Sequence, residues 1–153
     1  MQKSNGIRMT DANEIEAFVL SGNAHFVIKS LKTGVKLQYK LILKEKVWWV
    51  KVKLHGPVFD DDGNYTSSYQ YIGFIKKGYP TYKFIKAKNV SQTDKNVLAF
   101  IWFLQFVGKP LPSTIEFYHI GRCGKCGRKL TDIKSIAIGL GPTCAKRENI
   151  TNS

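Results

Sequence analysis

The sequence predicts an α+β fold: an antiparallel sheet of about five strands, a covering helix and a small C-terminal zinc finger. Three observations predict it. Apolar and polar residues alternate with a period of two in several runs between residues 24 and 88. Two stretches, near residues 12–20 and 97–107, carry apolar residues at helical spacing instead. All three cysteines and one of the three histidines fall between Phe117 and Lys146, in FYHIGRCGKCGRKLTDIKSIAIGLGPTCAK. The expected organisation is an α+β domain over residues 1–112 with a zinc-binding finger over 113–153 packed on it.

The first ten residues are expected to be irregular. Asp11 then resembles a helix N-cap with Glu14 at the capping-box position. Ile15, Phe18 and Val19 form an i, i+3, i+4 stripe and Gly22 fits a stop, so a short helix is expected over about residues 12–20. Strands follow. Ala24, Phe26 and Ile28 alternate with His25, Val27 and Lys29, and SLKTGVK supplies a hairpin turn. Leu37, Tyr39, Leu41 and Leu43 share one face of the next strand. In the third, Trp48, Val50, Val52 and Leu54 share a face, with Trp49, Lys51 and Lys53 on the other. HGPVFDDDGNYTSS reads as a polar loop. YQYIGFI and TYKFIKA complete the meander, joined by a turn at Lys77-Gly78-Tyr79-Pro80. The run FDDDGNY lacks the spacing and terminal Glu of a calcium loop and reads as an acidic turn.

Ser91 or Thr93 is expected to cap the second helix. Val97, Phe100, Ile101 and Leu104 form its stripe, and Trp102, Phe103 and Phe106 widen it, so the helix is expected to be almost wholly buried across the sheet. Gly108, Pro110 and Pro112 end it, and STIEFYH leads into the cysteine segment as a strand.

Charge narrows the function classes. The chain has 153 residues, with 24 Lys and Arg against 11 Asp and Glu, a formal net of +13. Such an excess favours polyanions or an acidic protein surface as partner. No apolar run reaches the roughly 18 residues of a membrane span. The N-terminus lacks the apolar stretch of a secretory leader, so a cytoplasmic protein with reduced thiols is expected. Clustered cysteines in that setting point to metal, not to disulfides.

The spacing is His119-x3-Cys123-x2-Cys126-x17-Cys144. Cys-x2-Cys with a third Cys at this distance is structural-zinc spacing. Gly124 and Gly127 allow the backbone to turn its amides toward the thiolates. Arg122, Lys125 and Arg128 offset thiolate charge. Cys144 follows Gly139, Gly141 and Pro142, where a last short helix is expected to open. The nearest fourth ligand is His119, with His55, Asp132 or water as alternatives. Three thiolates and a histidine close a tetrahedral shell, which argues for a structural Zn2+ and against catalysis. The deaminase pattern His-x-Glu with Pro-Cys-x2-Cys is absent.

HIGRCGKCGRKLTDIKSIAIGLGPTCAK resembles an uncharacterised zinc-binding family of phage and prophage proteins. Ile133 stands where the family pattern has Pro, and Leu140 where it has Ile. The resemblance implies His119, Cys123, Cys126 and Cys144 as ligands. It also implies that Arg128, Leu130, Thr131, Ser135, Gly139, Gly141 and Pro142 shape the finger. It carries no settled activity.

From Asn23 to His55 the chain has eight lysines and one acid, Glu45. Lys40, Trp49, Lys51 and Lys53 are expected on the wet face of the sheet, where Lys meets phosphate and rings meet bases. Arg122, Lys125, Arg128, Lys129 and Lys134 form a second cluster, and Lys76, Lys77, Lys83, Lys86 and Lys88 a third. The expected function is a non-enzymatic phage-type accessory protein that binds single-stranded or sequence-tolerant nucleic acid, with no membrane partner. The alternative is an inhibitor of a host defence protein, of anti-CRISPR or anti-restriction type, using the same basic surface. A metal-dependent nuclease comes third.

Overall fold

The computed structural model describes residues 6–53, 58–59, 62–66, 69–77, 82–142 and 144. The elements are β1 (Ile7–Met9), α1 (Ala12–Val19), β2 (Asn23–Ser30), β3 (Lys36–Lys44), β4 (Val47–Lys53), β5 (Val58–Phe59) and β6 (Tyr65–Thr66). They continue with β7 (Tyr69–Lys77), β8 (Tyr82–Lys86), α2 (Lys95–Leu104), β9 (Ile115–His119) and α3 (Ile133–Ile138). Seven strands form one antiparallel sheet in the order β1-β9-β2-β3-β4-β7-β8, and β5 and β6 form a separate ribbon. The turn expected at residues 77–80 lies largely outside the described residues, as does His55.

The five expected strands become seven because two more add at one edge. The segment expected to be irregular supplies β1, with Met9 opposite Phe117. β9 then enters between β1 and β2, with Phe117 opposite Ile28. A strand carrying a fully buried Phe117 must satisfy its backbone on both sides, and the two neighbours do so. The expected boundary at residues 112/113 therefore falls ahead of a strand of the main sheet. Beyond β9 a second small core gathers Cys123, Leu130, Ile138, Leu140 and Cys144.

The alternation works as read. Phe26, Tyr39, Leu41, Val50, Val52, Ile72 and Ile75 are fully buried on the inner face. α1 covers that face with Ile15, Phe18 and Val19, and its N-cap Asp11 accepts from the Glu14 amide at 2.9 Å. α2 covers it with Val97, Phe100 and Phe103, and Tyr39 Oη donates to the Asn96 carbonyl at 2.8 Å.

Two expectations about α2 change. Its N-cap is Asp94, which accepts from the amides of Asn96 and Val97 at 2.8 and 3.2 Å. Ser91 and Thr93 bond to each other one turn earlier. The helix is also not wholly buried: Leu98, Ile101 and Trp102 are 49%, 38% and 38% exposed. One sheet covers one side of a helix, and among the described residues no second layer covers the other.

The β3–β4 hairpin turns through Glu45 and Lys46, both at positive φ (58° and 68°). Among the described residues no helix is long and apolar enough to cross a membrane.

Candidate functional site

The metal-ligand candidates sit on a tight knuckle between β9 and α3. The Cys123 amide donates to the Arg128 carbonyl at 2.8 Å, and the Gly127 amide donates back to the Cys123 carbonyl at 2.9 Å. Arg122 and Lys129 bridge beside them as a minimal antiparallel pair. Gly127 is at φ 78°, a left-handed conformation that glycine adopts without steric cost. Gly124 serves another purpose. A Cβ there would meet Ser21 Oγ at 2.5 Å and the Phe18 ring at 2.7 Å, so glycine lets the knuckle seat on α1.

This turn brings the Sγ atoms of Cys123, Cys126 and Cys144 within 4.8 Å of one another. Tetrahedral zinc with bonds of about 2.3 Å needs thiolates roughly 3.8 Å apart, so small side-chain shifts close the three onto one ion. The amides of Lys125 and Cys126 point at Cys123 Sγ, at 3.4 and 3.5 Å. Burial opposes a charged Cys123, but bonds from the amides of Cys126, Gly141 and Lys125 and from the Cys126 thiol outweigh it and bring the pKa down to about 7. Cys144 moves the other way, up to about 12, through burial and then through bonds and charge from Cys123 and Cys126. A cation is what lets three adjacent thiolates ionise together. The site fits a thiophilic metal ion.

The structure does not bring His119, the expected fourth ligand, into this group. Its side chain shares the inner sheet face with Phe117 and is fully buried. Nε2–H donates to the Ile136 carbonyl at 2.5 Å, and Nδ1 accepts from the Gly121 amide at 3.0 Å. Both ring nitrogens are thus used, and the ring packs on Phe18 with centroids 5.4 Å apart. Burial lowers its pKa, against a smaller upward pull from the Ile136 carbonyl. Asp132 is committed as well. Its Oδ2 caps α3, accepting from Ser135 N at 3.0 Å and Ser135 Oγ at 2.7 Å. Among the described residues, the metal-binding group consists of the three cysteines.

Residues 116–149 match the model of a family of unknown function (DUF6011). The matched segment runs from β9 through the knuckle and α3 and contains His119 and all three cysteines. No curated protein and no solved structure matches the chain.

The finger basic cluster lies within the matched segment and splits into separate groups. Arg128 and Lys129 line a cleft of about 380 Å3 beside Cys126 and Cys144. Arg122 is exposed and donates from Nη1 to the Gly127 carbonyl at 3.1 Å, on the side facing β2. Lys125 is half-buried on the turn between the first two cysteines.

Most of the outer sheet face lies outside the matched segment. Lys40 stands directly opposite Lys51, and Ile42 opposite Trp49. Lys53 is exposed at the end of β4. The sequence reading missed three rings here: Tyr69, Tyr71 and Phe74. Lys51 lies opposite Tyr71, and Trp49 opposite Phe74, with a register shift between Val50 and Lys51. That bulge is why Tyr71 and Phe74, three residues apart, both face outward. The Trp49 ring lies 5.7 Å from Tyr71 and 5.4 Å from Phe74. Lys40 Nζ lies 5.5 Å from the Tyr69 ring centre, and Gln38 Nε2 donates to Tyr69 Oη at 2.8 Å. The glycine inside YQYIGFI is the signal that could have revealed the bulge.

Proposed function

We propose that the chain is a non-enzymatic accessory protein, of the phage type its C-terminal motif resembles, that binds nucleic acid through the outer face of its sheet. A structural Zn2+ held by Cys123, Cys126 and Cys144 organises the finger. The observation that carries this reading is the pairing of Lys40 with Lys51 on adjacent strands, flanked by Trp49 and Tyr71. Like charges directly opposite each other destabilise a sheet by a few tenths of a kcal/mol or more. A polyanion laid across them reverses the sign, and the rings beside them accept bases. The net charge of +13 acts in the same direction at long range. Three thiolates are a soft donor set, which favours zinc over magnesium or calcium.

Filter binding across a salt series tests the reading. Retention of labelled oligonucleotide at low salt, falling steeply with added salt, is expected. Changing Lys51 and Lys53 together to Glu should abolish most of it. No retention at low salt rejects the reading.

One observation favours a variant of the alternative, an inhibitor of a host defence protein that docks through an apolar face in place of the basic surface. Leu98, Ile101 and Trp102 form an exposed apolar stripe on α2, away from the basic face. That reading predicts a single host protein retained from lysate after nuclease treatment, and lost on Trp102→Ala.

A further inference from the structure

The sheet face and the metal knuckle meet in one line of residues. Strand register sets Tyr71, Lys51, Lys40 and His25 side by side, one each from β7, β4, β3 and β2. At about 4.8 Å per strand, this row runs some 14 Å across the sheet. The finger supplies its next member. His25 Nε2 lies 3.3 Å from Asn23 Oδ1. The Asn23 amide donates to the Gly124 carbonyl at 2.6 Å, and its side chain lies against Gly127. The Arg122 guanidinium bonds the Gly127 carbonyl, which places it at the β2 end of the row. His25 feels that neighbour: burial, then the charges of Lys40 and Arg122, lower its pKa.

The surroundings give the row a direction. Trp49, two residues from Lys51, and Phe74, three from Tyr71 across the bulge, flank it on one side, and Tyr69 on the other. No acidic side chain stands in these rows. Toward β9 and β1 the charge is already neutralised. Arg8 pairs with Glu116 at 3.2 Å, and Glu116 also accepts from Tyr118 Oη at 2.6 Å. Cationic surface therefore continues from His25 to Arg122 and not to Arg8.

We propose that this row is the track of a single-stranded polynucleotide, crossing the strands from Tyr71 to Arg122, so that the metal knuckle holds the far end of the nucleic-acid site. The proposal rests on the nucleic-acid reading above and adds the occupant, the path and the finger's part in it. Phosphates meet Lys51, Lys40 and Arg122, while unstacked bases lie on Trp49 and Tyr71. A duplex keeps its bases stacked inside and offers nothing to such rings.

Fluorescence anisotropy with the intact, zinc-loaded chain tests it. The probes are oligothymidylate and oligouridylate of about 4 and about 12 nucleotides, with a duplex of the longer length as competitor. Wild-type protein should bind single strands at least tenfold more tightly than duplex, and the deoxy and ribo series identify the sugar. Lys51→Ala and Trp49→Ala should weaken both lengths by about fivefold or more. Arg122→Ala should weaken only the longer probe and lower its salt slope by about 0.7, the share of one phosphate on a single strand. Arg122→Lys should restore that slope, and Arg8→Ala should leave both lengths unchanged. If Lys51→Ala weakens binding while Arg122→Ala binds the longer probe as wild type does, the track is wrong and the nucleic-acid reading stands. Preference for duplex also overturns the track. Failure of the wild-type chain to bind any probe overturns both.

Discussion

His119 lies two residues after Phe117 on β9, so its imidazole joins that ring on the inner sheet face. There it links β9 to α3 through the Ile136 carbonyl and closes the Gly121 turn through Nδ1. A structural role for these contacts predicts two outcomes. His119→Gln or His119→Ala should leave one metal ion per chain by elemental analysis. The alanine variant should cost about 3 kcal/mol in urea unfolding, since it leaves a cavity and two unpaired backbone groups. Loss of metal with either variant would restore His119 as a ligand. The pH dependence has a definite sign. The folded pKa lies below the usual 6.5, so the unfolded chain binds the proton more readily. Stability is complete above about pH 6.5 and falls as pH drops through the folded value. The glutamine variant should lose that part of the acid sensitivity.

At the scale of elements, the hairpin between β3 and β4 carries local strain. Glu45 and Lys46 both adopt positive φ, a two-residue turn that suits Asn-Gly. Lys46→Gly should raise stability by about 1 kcal/mol without changing the urea m-value, by removing a left-handed non-glycine residue. α2 offers the complementary test at its start. Asp94→Ala should cost about 1 kcal/mol, because two first-turn amides lose their acceptor. Ser91→Ala and Thr93→Ala should change thermal unfolding far less. The sequence pointed to a polar cap before Val97 but named the wrong residue. Cap choice depends on where the chain leaves the preceding turn, and Ser91 and Thr93 are used within that turn.

Across the whole molecule, Phe18 joins the two cores. It packs on Phe117 in the sheet core, while Gly124 and Gly139 of the finger come up against its ring. Among the described residues the finger core is five buried side chains, two of them cysteines, a core small enough that the proposed ion would be needed to hold it. Cys126→Ser, or strong chelation, should remove the metal and abolish amide-exchange protection through the knuckle and α3. Strands β3, β4 and β7 should stay protected, since their core of Tyr39, Val50, Val52 and Ile72 does not include the thiols. Uniform loss of protection across the sheet would mean that the two cores fold as one.

By itself the sequence determined what is written within single segments. The alternation of β2, β3 and β4 follows from residues two apart, and the α1 stripe from residues three and four apart. The cysteine triad was legible from spacing alone, because Cys-x2-Cys can fold into one turn without help from the rest of the chain. The lysine excess was legible because charge needs no geometry to be counted. Only the tertiary structure decided what depends on distant partners. β9 slots between β1 and β2, and that pairing turns His119 into the core. Strand register lines up Lys51, Lys40 and His25, and a bulge adds Tyr71 and Phe74 to their face. The seating of the knuckle on Phe18 brings Arg122 to the end of that row. Each of these is a contact between residues far apart in the chain, which local periodicity does not encode.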